Sequence, residues 1–199
     1  MYAFKIKQER NGFFMKKDLK AISGIFPMPV LMIGTYNEDG SVDVMNAAWG
    51  MAQSMTHLKL CLTESHKTVK NMKRTGCCTV ALGTKDLVKE SDYLGMVSAN
   101  TVSNKFEKSG LHSKKSEKVD APIIEEYPIC MECKVVGFED DGTLVEVVNV
   151  LVDDKYINED GKINLSEIGI IFYDPYGHGY YVVGNKVGQA FSDGKQLMN

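Results

Sequence analysis

Two extended runs separated by a four-residue turn constrain the fold of this chain more than any other feature. Residues 30–36 are strongly apolar, Asn37-Glu38-Asp39-Gly40 is typical of a turn, and residues 41–49 resume an extended pattern. Because such a turn joins neighbouring strands that run in opposite directions, the segment predicts an antiparallel hairpin.

Further strands are predicted along the chain, again mostly in hairpins. They are residues 58–63, 77–82, 129–137, 144–152 and 180–183. Residues 85–110 mix short helical patterns with polar turns, and we expect them to cover the sheet. A succession of hairpins with only short helices favours a mainly β, antiparallel fold. Closing the sheet into a barrel would also remove its exposed edges.

Length sets the domain organisation, because 199 residues fit one domain that can bury a continuous core. The first residues show no clear period, whereas Leu19, Ile22 and Ile25 suggest a short amphipathic segment. We therefore expect residues 1–25 to be an N-terminal extension with a short helix, and residues 26–199 to be the folded domain.

Charge and hydropathy exclude two classes of partner. A net charge of −3 and a pI near 5.8 argue against a nucleic-acid surface. No apolar run approaches the roughly 18 residues that cross a bilayer, and no signal-peptide arrangement is recognised at the N-terminus. We expect a cytoplasmic protein with neither nucleic-acid nor membrane partners.

Five scattered cysteines indicate a reducing compartment. Cys130 and Cys133 have the CxxC spacing of redox or zinc motifs, but the run around them is strand-like. Residues three apart on a strand face opposite ways, so these two sulfurs are not expected to meet. The four histidines show no metal spacing either.

Residues 158–167 resemble part of a calcium loop. Tyr156, however, occupies the position expected for the first ligand. A hairpin-like turn is therefore the favoured interpretation.

A possible anion site begins at Ser65-His66-Lys67-Thr68, which starts a predicted helix that Gly76 can close. Free N–H groups at a helix start bind anions, especially phosphate. The alternative is that Ser65 is only an N-cap and Lys67 a solvated charge.

Small residues follow a strand at residues 45–50 and would let a flat ligand approach the backbone. Asn46 there offers donors and acceptors to a polar ring edge. The alternative is a strand end whose Trp49 caps the core. Lys105 could add a second phosphate cation, although a loop lysine is usually exposed.

Several stretches together carry a family resemblance that covers about residues 26–192. They are PMPVLMIGTYNEDG, MNAAWG, TESHKTVKN, SANTVSNKFEKSGL, DAPIIEEYPICMECK and YYVVGNKVGQAF. In order and spacing the chain resembles the flavin reductase-like, FMN-binding split-barrel family, close to its flavoredoxin group. The resemblance implies an antiparallel, Greek-key split β-barrel with short flanking helices and non-covalently bound FMN.

The resemblance also implies site residues and partners. The implied FMN contacts are Met45, Asn46, Ala47, Ala48 and Trp49 for the ring and ribityl chain, and Ser65, His66, Lys67, Thr68, Ser98 and Lys105 around the phosphate. A homodimer is implied, in which Tyr180 or Tyr181 would approach the partner's flavin.

Two positions depart from the family pattern. His66 stands where relatives often carry Arg, and Met55-Thr56-His57 replaces a proline-bearing turn. Histidine titrates near pH 6.5, and a phosphate dianion favours its charged form, so we expect weaker FMN binding at alkaline pH.

The flavin is expected to carry out the redox chemistry, so no acid-base or nucleophilic triad is required of the protein. The expected activity is that of an FMN-dependent oxidoreductase, which passes electrons from NAD(P)H or a redox protein to an acceptor. An FMN electron carrier and a flavin- or haem-binding sensor are the alternatives, and no nicotinamide fingerprint decides among them.

Overall fold

The structure is a computed structural model, and it describes residues 16–198. Within this range twelve strands form, namely β1 Met28–Pro29, β2 Leu31–Tyr36, β3 Val42–Ala47, β4 Gly50–Ala52, β5 His57–Leu60, β6 Cys77–Leu82, β7 Ser113–Lys115, β8 Pro122–Ile124, β9 Ile129–Glu139, β10 Gly142–Val152, β11 Ile171–Tyr173 and β12 Tyr180–Val182. The α-helices are α1 Lys67–Thr75, α2 Val88–Met96, α3 Lys105–Ser109 and α4 Leu165–Ile168. Short 3-10 turns occupy Lys85–Leu87, Asp154–Tyr156 and Asp193–Leu197.

Seven strands form one antiparallel sheet in the order β3-β2-β6-β9-β10-β5-β4. The two edge strands follow each other in sequence, with only Ala48 and Trp49 between them. In a flat sheet, six strand spacings would separate the edges by about 29 Å, whereas this connection reaches about 11 Å. The sheet is therefore rolled so that its edges approach each other.

The rolled sheet buries both of its faces. In β2, Leu31 and Ile33 point into the barrel interior, while Met32 points to the outer face. Each face has its own apolar cluster, which is why this strand is a nearly continuous apolar run and not an alternating one. The predicted antiparallel hairpins of β2 with β3 and of β9 with β10 are confirmed.

Helix α1 packs against the interior of the barrel through Val69 and Met72. Gly76 ends the helix with a φ of 70°, as predicted. The expected N-cap is wrong, because His66 and not Ser65 precedes the first helical residue. The Ser65 hydroxyl lies 3.2 Å from the Thr63 hydroxyl instead, in a turn that His66 N closes on the Thr63 carbonyl.

The outer face of the sheet is covered by α2 and α3, as expected for residues 85–110. Leu94 of α2 and Phe106 of α3 pack there against Val44 and Ala81. A small sheet in the order β1-β11-β12 lies beside them, and Ile171 joins the same apolar cluster. Within residues 16–198 no helix has the length and apolarity that a membrane span requires.

The expected short helix before residue 26 is absent from the described residues 16–25. Leu19, Ile22 and Ile25 remain 64%, 49% and 78% exposed, so no apolar face is buried to offset the cost of helix nucleation. Residues 1–15 lie outside the described part of the chain. The domain boundary at residue 26 stays a prediction.

The two cysteines of the CxxC spacing lie on opposite faces of β9, as predicted. Cys130 packs in the outer cluster and Cys133 in the barrel interior. Burial raises the pKa of the Cys130 thiol to about 12, so it stays protonated at neutral pH. Both residues therefore serve as small apolar core side chains.

Residues 158–167 begin with a tight turn, which confirms the hairpin-like interpretation. Ile157 pairs with Ile163, and Asn158 N donates to the Lys162 carbonyl at 2.9 Å. The Asn158 side chain caps the turn by accepting from the backbone N–H groups of Asp160 and Lys162. Its carboxamide oxygen is thus used within the turn.

Candidate functional site

A cavity of about 140 Å³ opens at the start of α1, and we call it the helix cavity. Its wall combines β3, the first turn of α1, the end of α2 with the loop that follows, and the beginning of α3. The lining residues are Asp43, Met45, His66, Lys67, Thr68, Leu94, Gly95, Met96, Val97, Ser98, Ala99 and Lys105. Nine of the predicted contacts to FMN line this cavity or the cleft next to it, and they come from three separate segments of the chain.

Backbone donors dominate one wall of the helix cavity. The first helical hydrogen bond runs from Lys70 N to the His66 carbonyl at 3.2 Å. The N–H groups of Lys67, Thr68 and Val69 precede it and have no acceptor within the helix. No side chain caps this end, and the first turn carries no acidic residue. The helix start therefore presents uncompensated positive charge to the cavity.

Two side chains add to this positive potential. Lys67 lines the cavity and forms no ion pair with any residue of the described range. His66 is half-buried, and its Nδ1 atom is buried without a hydrogen-bond partner among the described residues. Its Nε2 atom lies 3.3 Å from the Thr63 hydroxyl. A ligand oxygen would satisfy Nδ1, so these groups fit an anion such as phosphate.

Lys105 has a different role from that of a free cation. It is only 2% exposed, and its ammonium donates to the carbonyls of Leu94 at 3.3 Å and Val97 at 3.0 Å. The same Nζ lies 3.2 Å from Oδ1 of Asp43, which is fully buried. Lys105 therefore joins α3 to β3 and to the end of α2, and its charge is balanced within the protein.

The loop between α2 and α3 is held against α1 by Asn100. The Asn100 side chain donates to the Ser65 carbonyl at 3.0 Å and accepts from Lys70 Nζ at 3.0 Å. Asn100 N also donates to the Ser98 hydroxyl at 3.2 Å. These bonds position Ser98 and Ala99 at the rim of the helix cavity.

A second cavity of about 170 Å³, the aromatic cleft, lies beside the first. It is lined by Asn46, Ala48, Trp49, Asp92, Gly95, Met96, Tyr173 and Tyr180. Trp49 is 52% exposed, and its ring lies 6.1 Å from that of Tyr173. The alternative in which Trp49 caps the core is wrong, because the connection between the sheet edges turns this ring to the surface.

Polar groups of the aromatic cleft are held by hydrogen bonds to α2. Asn46 Nδ2 donates to the Ser91 carbonyl at 3.0 Å, and the Tyr180 hydroxyl donates to Asp92 at 2.8 Å. Burial, followed by the neighbouring Asp92 carboxylate, raises the pKa of Tyr180 to about 12. Tyr180 is therefore a neutral hydrogen-bonding group at physiological pH.

Gly95 and Met96 line both cavities, so the helix cavity and the aromatic cleft adjoin. A side chain at position 95 would place its Cβ 3.1 Å from the Asn46 Cβ, so glycine lets α2 approach β3 closely. Neither cavity alone reaches the roughly 300 Å³ typical of a cofactor pocket. Together they form a groove with an anion-binding end and an aromatic end, which fits a flat ring carrying a phosphorylated chain.

Some predicted site residues lie elsewhere. Ala47 packs in the barrel interior, and the Ser65 side chain is exposed, so neither lines the groove. Tyr180 lies in the cleft of its own chain, whereas Tyr181 is exposed and packs edge-on against Phe26. Met55 and Thr56 lie in the turn between β4 and β5, and His57 begins β5, all outside both cavities.

Sequence reasoning missed Asp43, Asn100, Asp92 and Tyr173. Asp43 carried a signal, because an acidic residue between two valines in a strand buried on both faces is unusual. The other three carried none. The roles of Asp92 and Tyr173 depend on the packing of α2 and the small sheet, and that of Asn100 depends on the packing of its loop against α1.

The fold and the groove define a class, that of rolled antiparallel sheets in which a helix start with free N–H groups adjoins an aromatic cleft. The sequence matches the family described as "Flavin reductase like domain" over residues 23–173. The chain belongs to this family, which confirms the resemblance and the split-barrel fold.

Solved structures agree with this assignment. Flavoredoxin of Desulfovibrio vulgaris (Miyazaki F) is 28% identical, with a TM-score of 0.87 over 90% of this chain and 100% of its own. A split barrel domain protein from Shewanella frigidimarina is 20% identical, with a TM-score of 0.71 over 81% of this chain and 84% of its own, and supports the fold alone.

A curated relative from Aeropyrum pernix, described as an uncharacterized protein, is 27% identical over 126 residues. These residues are 62% of this chain and 48% of the relative. The match thus spans about half the length of that relative.

Proposed function

We propose that this protein is an FMN-dependent oxidoreductase, which receives electrons from NAD(P)H or a redox protein and passes them to an acceptor. The observation that carries the proposal is the uncapped start of α1, with Lys67 and the unpartnered Nδ1 of His66, beside an aromatic cleft. An anion site joined to an aromatic site suits FMN better than a flavin without a phosphate.

In the proposed complex, the N–H groups of Lys67, Thr68 and Val69 would hold the phosphate together with His66. Asn46, Trp49 and Tyr180 would hold the ring at the other end of the groove. When bound, the flavin supplies the redox chemistry, and the chain binds the ring, orients it and leaves one side accessible. The 74% exposure of Met96 and the 52% exposure of Trp49 support an open side where a donor or acceptor could approach.

The first test is FMN binding. The purified protein, or the protein with added FMN, is expected to show the two visible absorption bands of a flavin. A colourless protein whose spectrum and fluorescence do not change on titration with FMN would contradict the proposal.

The second test separates enzyme from carrier. The FMN-loaded protein is mixed anaerobically with NADH, NADPH or a reduced ferredoxin, and the loss of flavin absorbance is followed. Rapid bleaching by a nicotinamide supports the reductase. Bleaching by the protein donor alone supports an FMN electron carrier, which the greater likeness to a flavoredoxin favours as the second candidate. A bound chromophore that no donor reduces would indicate a sensor.

The proposal includes a homodimer in the cytoplasm. Val136, Val148 and Val150 of β9 and β10 are 54%, 39% and 49% exposed in the single chain, which supports burial against a second copy. Sedimentation of the FMN-loaded protein is expected to give twice the chain mass. A monomer at micromolar concentration would contradict this part of the proposal.

A further inference from the structure

Asp43 is the least expected residue in the helix cavity, because a carboxylate lines a site that is otherwise built for an anion. It lies on β3, is fully buried, and forms part of the cavity wall. Its Oδ2 atom accepts a hydrogen bond of 2.7 Å from the Thr68 hydroxyl. Its Oδ1 atom accepts no hydrogen bond from any described residue.

The ion pair with Lys105 does not satisfy Oδ1. The Lys105 ammonium lies 3.2 Å away, but its direction of approach is not that of a hydrogen bond. Two of the three protons of this ammonium serve the carbonyls of Leu94 and Val97, and the third makes no hydrogen bond to Oδ1. A buried carboxylate oxygen without a donor is costly, so a ligand that brings a donor to Oδ1 would gain free energy.

The neighbouring charges restrict the chemistry of that donor. A second cation at Oδ1 would be repelled by Lys105 at close range. The oxygens of a phosphate dianion are acceptors only, and the carboxylate would repel them. A neutral hydroxyl group satisfies both restrictions, provided that the ligand also carries an anion for the start of α1. A phosphorylated polyol chain has both groups.

We propose that Asp43 is a specificity-determining residue whose Oδ1 atom accepts a hydrogen bond from a hydroxyl of the ribityl phosphate chain. The inference rests on the proposed function, because it assigns a contact to the same FMN. Lys105 and Thr68 hold the carboxylate in place, and the hydroxyl provides the donor that the protein does not. The site thereby selects phosphorylated polyols over anions on a plain alkyl chain.

The test compares FMN with an analogue in which an unsubstituted alkyl chain of equal length links the ring to the phosphate. Both are titrated into the protein, and binding is followed by flavin fluorescence. The wild-type protein is expected to bind the analogue about tenfold more weakly or worse, as for one lost hydrogen bond to a charged group. Equal affinities for the two ligands would overturn the inference without any variant.

Variants assign the preference to Asp43. In Asp43→Ala, the dissociation constants of the analogue and of FMN are expected to be about equal. In Asp43→Asn, which keeps the shape of the side chain, the analogue should bind about threefold more weakly than FMN, because a neutral acceptor is weaker. Asp39→Asn is the matched control, since Asp39 is an exposed carboxylate on the turn before β3, and it should keep the wild-type ratio. Thermal unfolding of each variant shows whether it is folded.

The outcomes separate the two proposals. FMN binding with an unchanged ratio in folded Asp43→Asn overturns the inference and leaves the proposed function intact. Failure of the wild-type protein to bind FMN at all overturns both. A ratio that falls in both Asp43 variants and not in Asp39→Asn supports the inference.

Discussion

The helix cavity and the aromatic cleft are built in different ways, although they adjoin. The donors of the helix cavity are consecutive in sequence, from His66 to Val69, and most of them are backbone N–H groups. The cleft takes Asn46, Trp49 and Tyr180 from distant segments, and each contributes a side chain. The donors of the helix cavity are therefore positioned by the start of one helix, whereas the side chains of the aromatic cleft are positioned by the packing of several elements.

The two ends also differ in burial. The charged pair behind the helix cavity is almost fully buried, with side-chain exposures of 3% for Lys105 and 0% for Asp43. Trp49 and Met96 at the cleft are more than half exposed. Substitutions at the helix cavity should therefore affect stability as well as binding, whereas those at the cleft should affect mainly binding.

The largest effect is expected for Lys105→Met, which leaves the Asp43 carboxylate buried without its counter-charge. Loss of one partner of a buried ion pair costs about 3–5 kcal/mol of unfolding free energy. Urea denaturation measures this loss. Lys108→Met is the control, because Lys108 is exposed on the same helix. A loss of less than about 1 kcal/mol of unfolding free energy for Lys105→Met would show that the Lys105–Asp43 ion pair does not stabilise the helix cavity.

Removal of the ligand phosphate comes next. Riboflavin is expected to bind about a hundredfold more weakly than FMN, because it loses two or more charge-assisted hydrogen bonds at the start of α1. Parallel fluorescence titrations compare the two flavins. Similar affinities would mean that the aromatic cleft, and not the helix cavity, provides most of the binding free energy.

Trp49→Ala should lower FMN affinity about tenfold, as expected for the loss of one aromatic contact. Because Trp49 is 52% exposed, the free energy of unfolding should change by less than about 1 kcal/mol. Tyr176→Ala is the matched control, since Tyr176 is 51% exposed and lies outside both cavities. Calorimetric titration and urea denaturation give the two quantities, and a large stability loss with unchanged affinity would reverse the assignment of Trp49 to the ligand.

Tyr180→Phe removes the hydrogen bond to Asp92 and should cost about 1 kcal/mol below pH 10. An unfolded tyrosine ionises near pH 10, whereas Tyr180 stays protonated up to about pH 12. The free energy of unfolding should therefore fall between these pH values, and it should fall less in Tyr180→Phe. Tyr127 and Cys130, whose pKa values burial also raises to about 12, contribute to the fall in both proteins. Urea denaturation of the wild-type protein and Tyr180→Phe, below and within this pH window, measures how far the free energy of unfolding falls in each. The two falls would be equal if Tyr180 ionised near pH 10 in the folded protein.

The smallest effect concerns His66. His66→Ala removes the imidazole whose buried Nδ1 atom has no hydrogen-bond partner among the described residues, so FMN affinity should fall about threefold, as for one lost hydrogen bond. His112→Ala is the control, because His112 is exposed and lines neither cavity. Fluorescence titration gives both affinities, and an unchanged affinity in His66→Ala would remove His66 from the phosphate contacts.

The fold could be predicted well from local patterns. The hairpins of β2 with β3 and β9 with β10, the helix ending at Gly76, and the opposite faces of Cys130 and Cys133 each depend on turn residues or on strand periodicity. The helix expected around Leu19, Ile22 and Ile25 does not form in the described residues 16–25, because these apolar side chains find no surface to pack against. Hydroxyl residues are usual at N-caps, which predicts Ser65 there, yet a turn at Thr63 starts the helix one residue later.

The sequence by itself determined that a helix start follows an antiparallel hairpin, because both features are made by neighbouring residues. Only the tertiary structure decided that Lys105 is a buried partner of Asp43, that Trp49 faces the surface, and that Asp92 and Tyr180 share a hydrogen bond. These contacts join residues 50 or more positions apart, or depend on which face of a rolled sheet is covered. A local sequence pattern encodes neither the long-range contacts nor the choice of the covered face. Both arise only when α2, α3 and the small sheet pack against β3.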